Sequence, residues 1–288
     1  MKPAPFTLHR PTELREALAL LAEHGEDAVA LAGGQSLVPL LNLRMVRPMV
    51  VVDLSDIQEL DWLAVDAGGV TFGAMCRARM AELDPTVQST LPPLVDALSY
   101  VGHPQIRNRG TIGGMVAFAD PAAEIPAVLL ACGGWVRVES TAGAREVPAP
   151  EFFKSFYETA RQDDELVTTV RFGASFGYRF SVTEHARRHG DYALAGAVLG
   201  LRAEEGAIEG LRLCYFGVGP VPQRLIELED HYVGAALEDD VIEQIGDAVA
   251  ENLTPPSDLH ASADYRRRIA AVLTMRGLLA LRQGNART

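Results

Sequence analysis

A chain of 288 residues, 48% hydrophobic and 22% charged, has the balance of a globular protein with one large core or two modest ones. Its formal net charge of -12 argues against nucleic acid, because no broad surface could neutralise phosphates; backbone N–H groups and helix ends could still hold a compact anion. No apolar run reaches the ~18 residues of a membrane-spanning helix, and the stretch from Met1 to Pro11 lacks the apolar segment and cleavage site of a secretory signal.

In chain order, the first predicted element is a helix. Thr12 stands as its N-cap, Leu14, Ala17, Leu18, Leu21 and Ala22 recur at helical spacing, and Gly25 supplies the stop. A short strand, Val29 to Leu31, leads into Ala32-Gly33-Gly34-Gln35-Ser36 and a short helix from Leu37. Met49 to Val52 reads as a buried strand; Trp62–Val65 and Val70–Phe72 read as hairpin arms around Gly68-Gly69. Leu91 to Val101 predicts another helix, followed by a glycine-punctuated stretch, Gly102 to Pro121, and an apolar helix to about Ala131. Asp120 and Pro121 resemble the cap and first residue of that helix, with Pro126 set awkwardly inside it. Trp135 to Glu139 is the next strand, and Gly173 and Gly177 mark a boundary. Beyond it, Ala193–Arg202 and Ala207–Phe216 read as strands around a Glu204-Glu205-Gly206 turn, then Asp239–Glu251 and Ser262–Arg282 as helices. Strands followed by helices predict an α+β layer, and Arg266-Arg267-Arg268 reads as a solvated helix face.

Two bends carry candidate chemistry. Gly33-Gly34-Gln35-Ser36 lies between a strand and a helix, where paired glycines let backbone N–H groups approach an anion and Ser36 either caps the helix or bonds a phosphate oxygen. Gly110-Thr111-Ile112-Gly113-Gly114-Met115 repeats that logic after the polar run Gln105 to Arg109. Taken singly, each is more often only a turn. Neither has the Lys-Ser/Thr pair of a P-loop or the six-residue dinucleotide glycine fingerprint, which disfavours nucleotide binding by those routes. His103 reads first as a loop-packing residue, Asp120 as a helix cap, His185 and Asp191 as surface groups. No Ser–His–Asp triad or His-rich metal constellation is evident. Cys76, Cys132 and Cys214 are odd in number and far apart, which points to reduced thiols in a cytoplasmic protein. Three is also fewer than an iron–sulfur cluster normally takes.

Together and in this order, Ala32-Gly33-Gly34-Gln35-Ser36 and Thr111-Ile112-Gly113-Gly114-Met115 resemble the two FAD-pyrophosphate loops of molybdenum hydroxylase flavoprotein subunits. That family includes the medium subunit of carbon monoxide dehydrogenase and the FAD domain of xanthine dehydrogenase. The surroundings agree: Pro39 to Arg44, Gly102 to Arg109, Ala119 to Glu124, Arg187 to Ala193 and Gly217-Val218-Gly219-Pro220. The resemblance spans almost the whole chain. It implies an α+β fold, with a two-subdomain PCMH-type FAD-binding domain over 1–173 and a small C-terminal domain, a three-stranded antiparallel sheet with helices, over 174–288.

The resemblance also implies roles. Ala32, Gly33, Gly34, Gln35 and Ser36 are expected to wrap the pyrophosphate and adjoining ribityl end. Thr111, Ile112, Gly113, Gly114 and Met115 are expected to hold it from the other side, largely through backbone. Met115 replaces a frequent Asn, Asp or Ser, so a side-chain bond is lost there. Glu124 aligns with an acidic residue, commonly Asp, that bonds FAD hydroxyls, and Gly102 lies where the chain passes close to the cofactor. Arg187 and Tyr192 belong to a loop near the isoalloxazine ring, Tyr192 either shielding it or facing the core. Gln35 stands where a histidine often occurs and cannot make a histidyl–flavin bond, so FAD is expected to be dissociable. No residue is assigned to catalysis or to a metal. The expected activity is electron transfer inside a dehydrogenase: a molybdenum-containing large subunit oxidises substrate, and a small subunit with [2Fe–2S] clusters passes electrons to FAD. The expected assembly is a dimer of such heterotrimers, a heterohexamer. The rival readings are a self-contained FAD-dependent oxidase or dehydrogenase, and a non-catalytic protein that kept the fold.

Overall fold

The computed structural model describes residues 2–175 and 177–284. Its first layer is a small parallel sheet made by β1 (Thr7–His9), β2 (Ala28–Leu31) and β3 (Val50–Asp53) in the order β1-β3-β2. Parallel neighbours need crossovers, supplied by α1 (Leu14–His24) and α2 (Leu37–Leu43). Ala17, Leu18 and Leu21 put α1's apolar stripe on the sheet, and Gly25 ends the helix at φ 49°. Its N-cap is Glu13, without a side-chain cap, and Thr12 is displaced one residue outward.

The second layer is a five-stranded antiparallel sheet, β4-β5-β10-β6-β7. It opens with the hairpin β4 (Leu63–Asp66) and β5 (Gly69–Gly73). A helical excursion follows: α3 (Ala78–Leu83), α4 (Pro85–Thr90), α5 (Pro92–Tyr100), α6 (Pro104–Arg107), α7 (Ile112–Phe118) and α8 (Glu124–Ala131). The chain returns through β6 (Trp135–Ser140), β7 (Gly143–Pro148), the single turn α9 (Ala149–Phe152), the small hairpin β8 (Phe153–Ser155) and β9 (Glu158–Thr159), and β10 (Leu166–Gly173). All eight residues of α8 are buried, so it runs through the centre of the molecule. Its N-cap is Ala123. Asp120 instead receives the Ala122 amide at 2.9 Å, a turn before the helix, and Pro126 falls in the first turn, where a missing N–H removes no helical bond.

The third layer is an antiparallel sheet in the order β11-β12-β13-β14: β11 (Arg179–His185), β12 (Ala195–Glu204), β13 (Ala207–Phe216) and the two-residue edge β14 (Gln223–Arg224), which adds a fourth member to the three long strands. On one face lie α11 (Asp239–Asn252) and α12 (Ala263–Arg282), after the short α10 (Ile226–His231). The other face meets α5 and α8. Alternation along β12 explains both: Ala195, Ala197, Leu199 and Leu201 join the core under the C-terminal helices, while Val198 joins the core shared with α8. The basic run on α12 is not a uniformly solvated face. Arg266 is buried, donating to the carbonyls of Leu194 and Gly217 and pairing with Asp258 at 2.7 Å, whereas Arg268 is exposed.

Candidate functional site

Between the three layers lies a cleft of about 430 Å³, within the ~300–1,000 Å³ common for small-molecule sites. Its floor is the meeting of the two bends. A Cβ on Gly33 would collide with the Arg109 carbonyl oxygen, and one on Gly114 would stand 2.8 Å from Thr111 Oγ1 and 3.4 Å from Ala32 Cβ. Glycine is required at position 33 because the backbones touch there, and Gly34 adopts φ 74°.

The bends differ in what they offer. In the first, the N–H groups of Gly33, Gly34, Gln35 and Ser36 find no acceptor among the described residues, so four donors are available at one corner of the cleft. Gln35 Nε2 donates to Gly33 O at 2.9 Å, which fixes the bend's shape. Ser36 makes no side-chain cap on α2, so its hydroxyl is not committed there. In the second bend the main-chain donors are consumed internally: Ile112 N donates to Cys76 O, Gly113 N to Ala74 O, Gly114 N to Thr111 Oγ1 and Met115 N to Thr111 O. Of the donors in residues 111–115, four are therefore engaged within the protein. Thr111 retains its own N–H and hydroxyl proton, while the residues after it fasten α7 to the sheet.

Of the residues singled out in sequence, Ala32, Gly33, Gly34, Gln35, Ser36, Gly102, Thr111, Gly113, Gly114, Met115, Glu124 and Tyr192 line the cleft. Ile112 does not: it is fully buried in the hydrophobic core and takes no part in the cleft wall. Arg187 is exposed and stands outside the cleft wall. The loop that carries it still reaches the site, since Gly190 (φ 83°) abuts Gly102, a Cβ there falling 3.1 Å from Gly102 O. Tyr192 follows and remains 71% exposed, so it faces the mouth and not the core.

The structure adds wall residues that no motif announced. Arg161 donates to the carbonyls of Gln162 (2.6 Å) and Glu165 (2.9 Å), and burial lowers its pKa. The Arg145 guanidinium, at 2.7 Å, holds the Glu165 carboxyl below its usual range, and Gln162 N–H donates to it as well. Leu166 and Val167, at the start of β10, supply apolar wall, as do Met75 and Phe118. Elsewhere on the wall burial raises the Asp120 carboxyl, and behind it burial pushes the Tyr157 phenol up to about 12, the two lying 3.4 Å apart. The wall is thus partly acidic, with Arg161 as its cationic member, and negative charge in a ligand can be met by the amides of the first bend, by Thr111 and by Arg161. Four unclaimed amides, a side-chain-poor floor and an apolar wall fit a diphosphate-bridged dinucleotide such as FAD. Among the described residues no group of His, Cys, Asp and Glu could hold a metal, all three cysteines are free thiols, and no helix is long and apolar enough to cross a membrane.

Comparison with known proteins points the same way. Residues 4–174 match the family described as FAD binding domain in molybdopterin dehydrogenase, and residues 180–281 match the CO dehydrogenase flavoprotein C-terminal domain. The chain is 37% identical to the glyceraldehyde dehydrogenase medium chain of Sulfolobus acidocaldarius, covering 96% of this chain and 98% of that one. It is 38% identical to caffeine dehydrogenase subunit beta of a Pseudomonas species, over 96% and 95% of the two chains. Its fold superposes on quinoline 2-oxidoreductase from Pseudomonas putida 86 with a TM-score of 0.95, at 35% identity and full coverage of both chains.

Proposed function

The chain belongs to the family of FAD-binding medium subunits of molybdenum hydroxylases, and from that premise we propose that it is the electron-transfer flavoprotein of a three-component dehydrogenase. The observation that carries this reading is the contact of two side-chain-poor bends at the floor of a cleft where one of them offers four free amides. When bound, FAD supplies the ability to take electrons singly and to release two together. The protein's own residues do the placing. Amides of residues 33–36 face the pyrophosphate, Thr111 donates from the other side, Glu124 meets cofactor hydroxyls and Tyr192 covers the mouth. In this reading residues 1–173 form the FAD-binding unit and residues 174–288 the unit that closes the cleft. The partners are a molybdenum-containing large subunit and a [2Fe–2S] small subunit, because this chain has too few cysteines for a cluster of its own. The expected assembly is a cytoplasmic dimer of heterotrimers.

Purification from the native source tests the proposal: the chain is expected to copurify with flavin, iron and molybdenum. Substrate turnover by the isolated chain would make it a self-contained oxidase instead, and a colourless chain that cannot be reconstituted with FAD would sink the reading. Gln35 predicts that acid precipitation releases all the flavin into the supernatant. Flavin retained on the polypeptide contradicts it.

A further inference from the structure

A carboxyl pair backs the cleft wall where the C-terminal sheet meets it. Glu124, the first residue of α8, lines the cleft and is 9% exposed. Against it stands Glu184, near the end of β11, contributed by the other side of the boundary in the chain. Glu184 Oε2 is sealed from solvent and accepts a hydrogen bond from no donor among the described residues. A lone carboxylate in that setting is costly, and two side by side more so. A single proton held between the carboxyls supplies the donor that Glu184 Oε2 lacks.

On the reading that the cleft binds FAD, we infer that Glu184 is a positioning residue for the cofactor. Through one proton shared with Glu124 it holds the Glu124 carboxyl toward the cleft, so FAD is bound more weakly once that proton is lost. Burial, with the partner carboxyl and Asp120 adding to it, pushes Glu124 up to about 8, and burial pushes Glu184 up to about 7. The other ionisable groups around the pair are Tyr100, whose phenol is raised by burial and then by Glu184 and whose hydroxyl donates to Val182 O at 3.4 Å, Asp96 beside it, and His189 packed on its ring. Tyr192 and the Asp120–Tyr157 pair lie on the cleft side. None of these is a cation held against the two carboxyls. Below about pH 7 both carboxyls are protonated, between about 7 and about 8 the pair holds the one shared proton, and above about pH 8 two negative charges stand beside a dianionic cofactor.

The test uses the full-length chain, stripped of flavin and titrated with FAD from pH 6.5 to 9, binding being read by flavin fluorescence. The wild-type affinity is expected to fall on the order of tenfold across that range, the effect of about one pKa unit of linkage. Glu184→Gln, whose amide can donate to an ionised Glu124, and Glu124→Gln, which stays neutral, are each expected to flatten the profile while unfolding at no lower a temperature than wild type. Both variants keep Tyr100, His189, Asp120 and the other neighbours, so a slope owed to any of those would survive. A purely structural role would weaken binding equally at every pH. A wild type that binds FAD with constant affinity, or a slope retained in both variants, overturns the role of the pair and leaves FAD binding intact. A wild type that takes up no FAD overturns both.

Discussion

At Gly33 the site depends on the absence of a single carbon. A methyl group there meets the Arg109 carbonyl oxygen, so Gly33→Ala must push the bends apart. Overpacking of this kind costs roughly 1–3 kcal/mol, and here the displaced atoms carry the cleft's free amides. The variant is expected to unfold at a lower temperature and to be purified with a flavin-to-protein ratio well below wild type; unchanged flavin content would show that the contact is not needed. Glu124 gives a second residue-scale prediction, through linkage. Its folded-state value of about 8, against an ordinary 4.5, means that folding is opposed progressively as pH rises between those values and unaffected below them. In flavin-free protein, Glu124→Gln is therefore expected to match wild-type stability near pH 4 and to exceed it at pH 8.5 by on the order of 2–4 kcal/mol. Thermal melts at the two pH values check the sign.

At the scale of elements, α12 shows how a run of identical residues divides by position. Arg266 reaches across to the loops that follow β11 and β13, tying Leu194 O, Gly217 O and Asp258 together, while Arg268 looks outward. Arg266→Ala strips the carbonyls of Leu194 and Gly217 of a buried cationic donor, while Asp258 keeps the amides of His260 and Ala261, and it is expected to cost about 3 kcal/mol. Arg268→Ala is expected to change stability by no more than about 0.5 kcal/mol. Urea midpoints compared side by side decide it, and equal effects would contradict the geometry. Helix α8 makes the complementary point: apolar on every side, it is the element both larger sheets pack against, and its first residue is the Glu124 of the cleft. Its apolar run was readable in the sequence. Its start was not, because Asp120-Pro121 imitates a cap signal whose Asp120 carboxylate goes to a preceding turn.

For the whole molecule, the boundary near Gly173–Gly177 is a boundary in the chain more than in the packing. One hydrophobic core takes Phe72, Val128 and Phe172 from the N-terminal side and Phe180, Val198, Cys214 and Phe216 from the C-terminal side. Calorimetry of the full chain is expected to show one cooperative transition, with calorimetric and van't Hoff enthalpies in agreement, and residues 1–173 expressed alone are expected to aggregate through the uncovered faces of α5 and α8. Two separate transitions, or a soluble and cooperatively folding fragment, would show the layers to be independent. The sequence by itself determined what depends on local order. The two bends were visible as glycine pairs, α1 and α12 as periodic helices, and β12 and β13 as strands about a turn. Composition told against nucleic acid and against a cluster held by this chain. What only the tertiary structure decided depends on which distant backbones meet. Contact between the bends leaves the first with free amides and commits those of the second to Cys76, Ala74 and Thr111; Ile112 is turned into the core and Arg187 out of the cleft wall; and Glu184 is set behind Glu124, sixty positions away in the chain. Hydrogen-bond partners and burial are properties of neighbours in space, and no spacing within the chain encodes them.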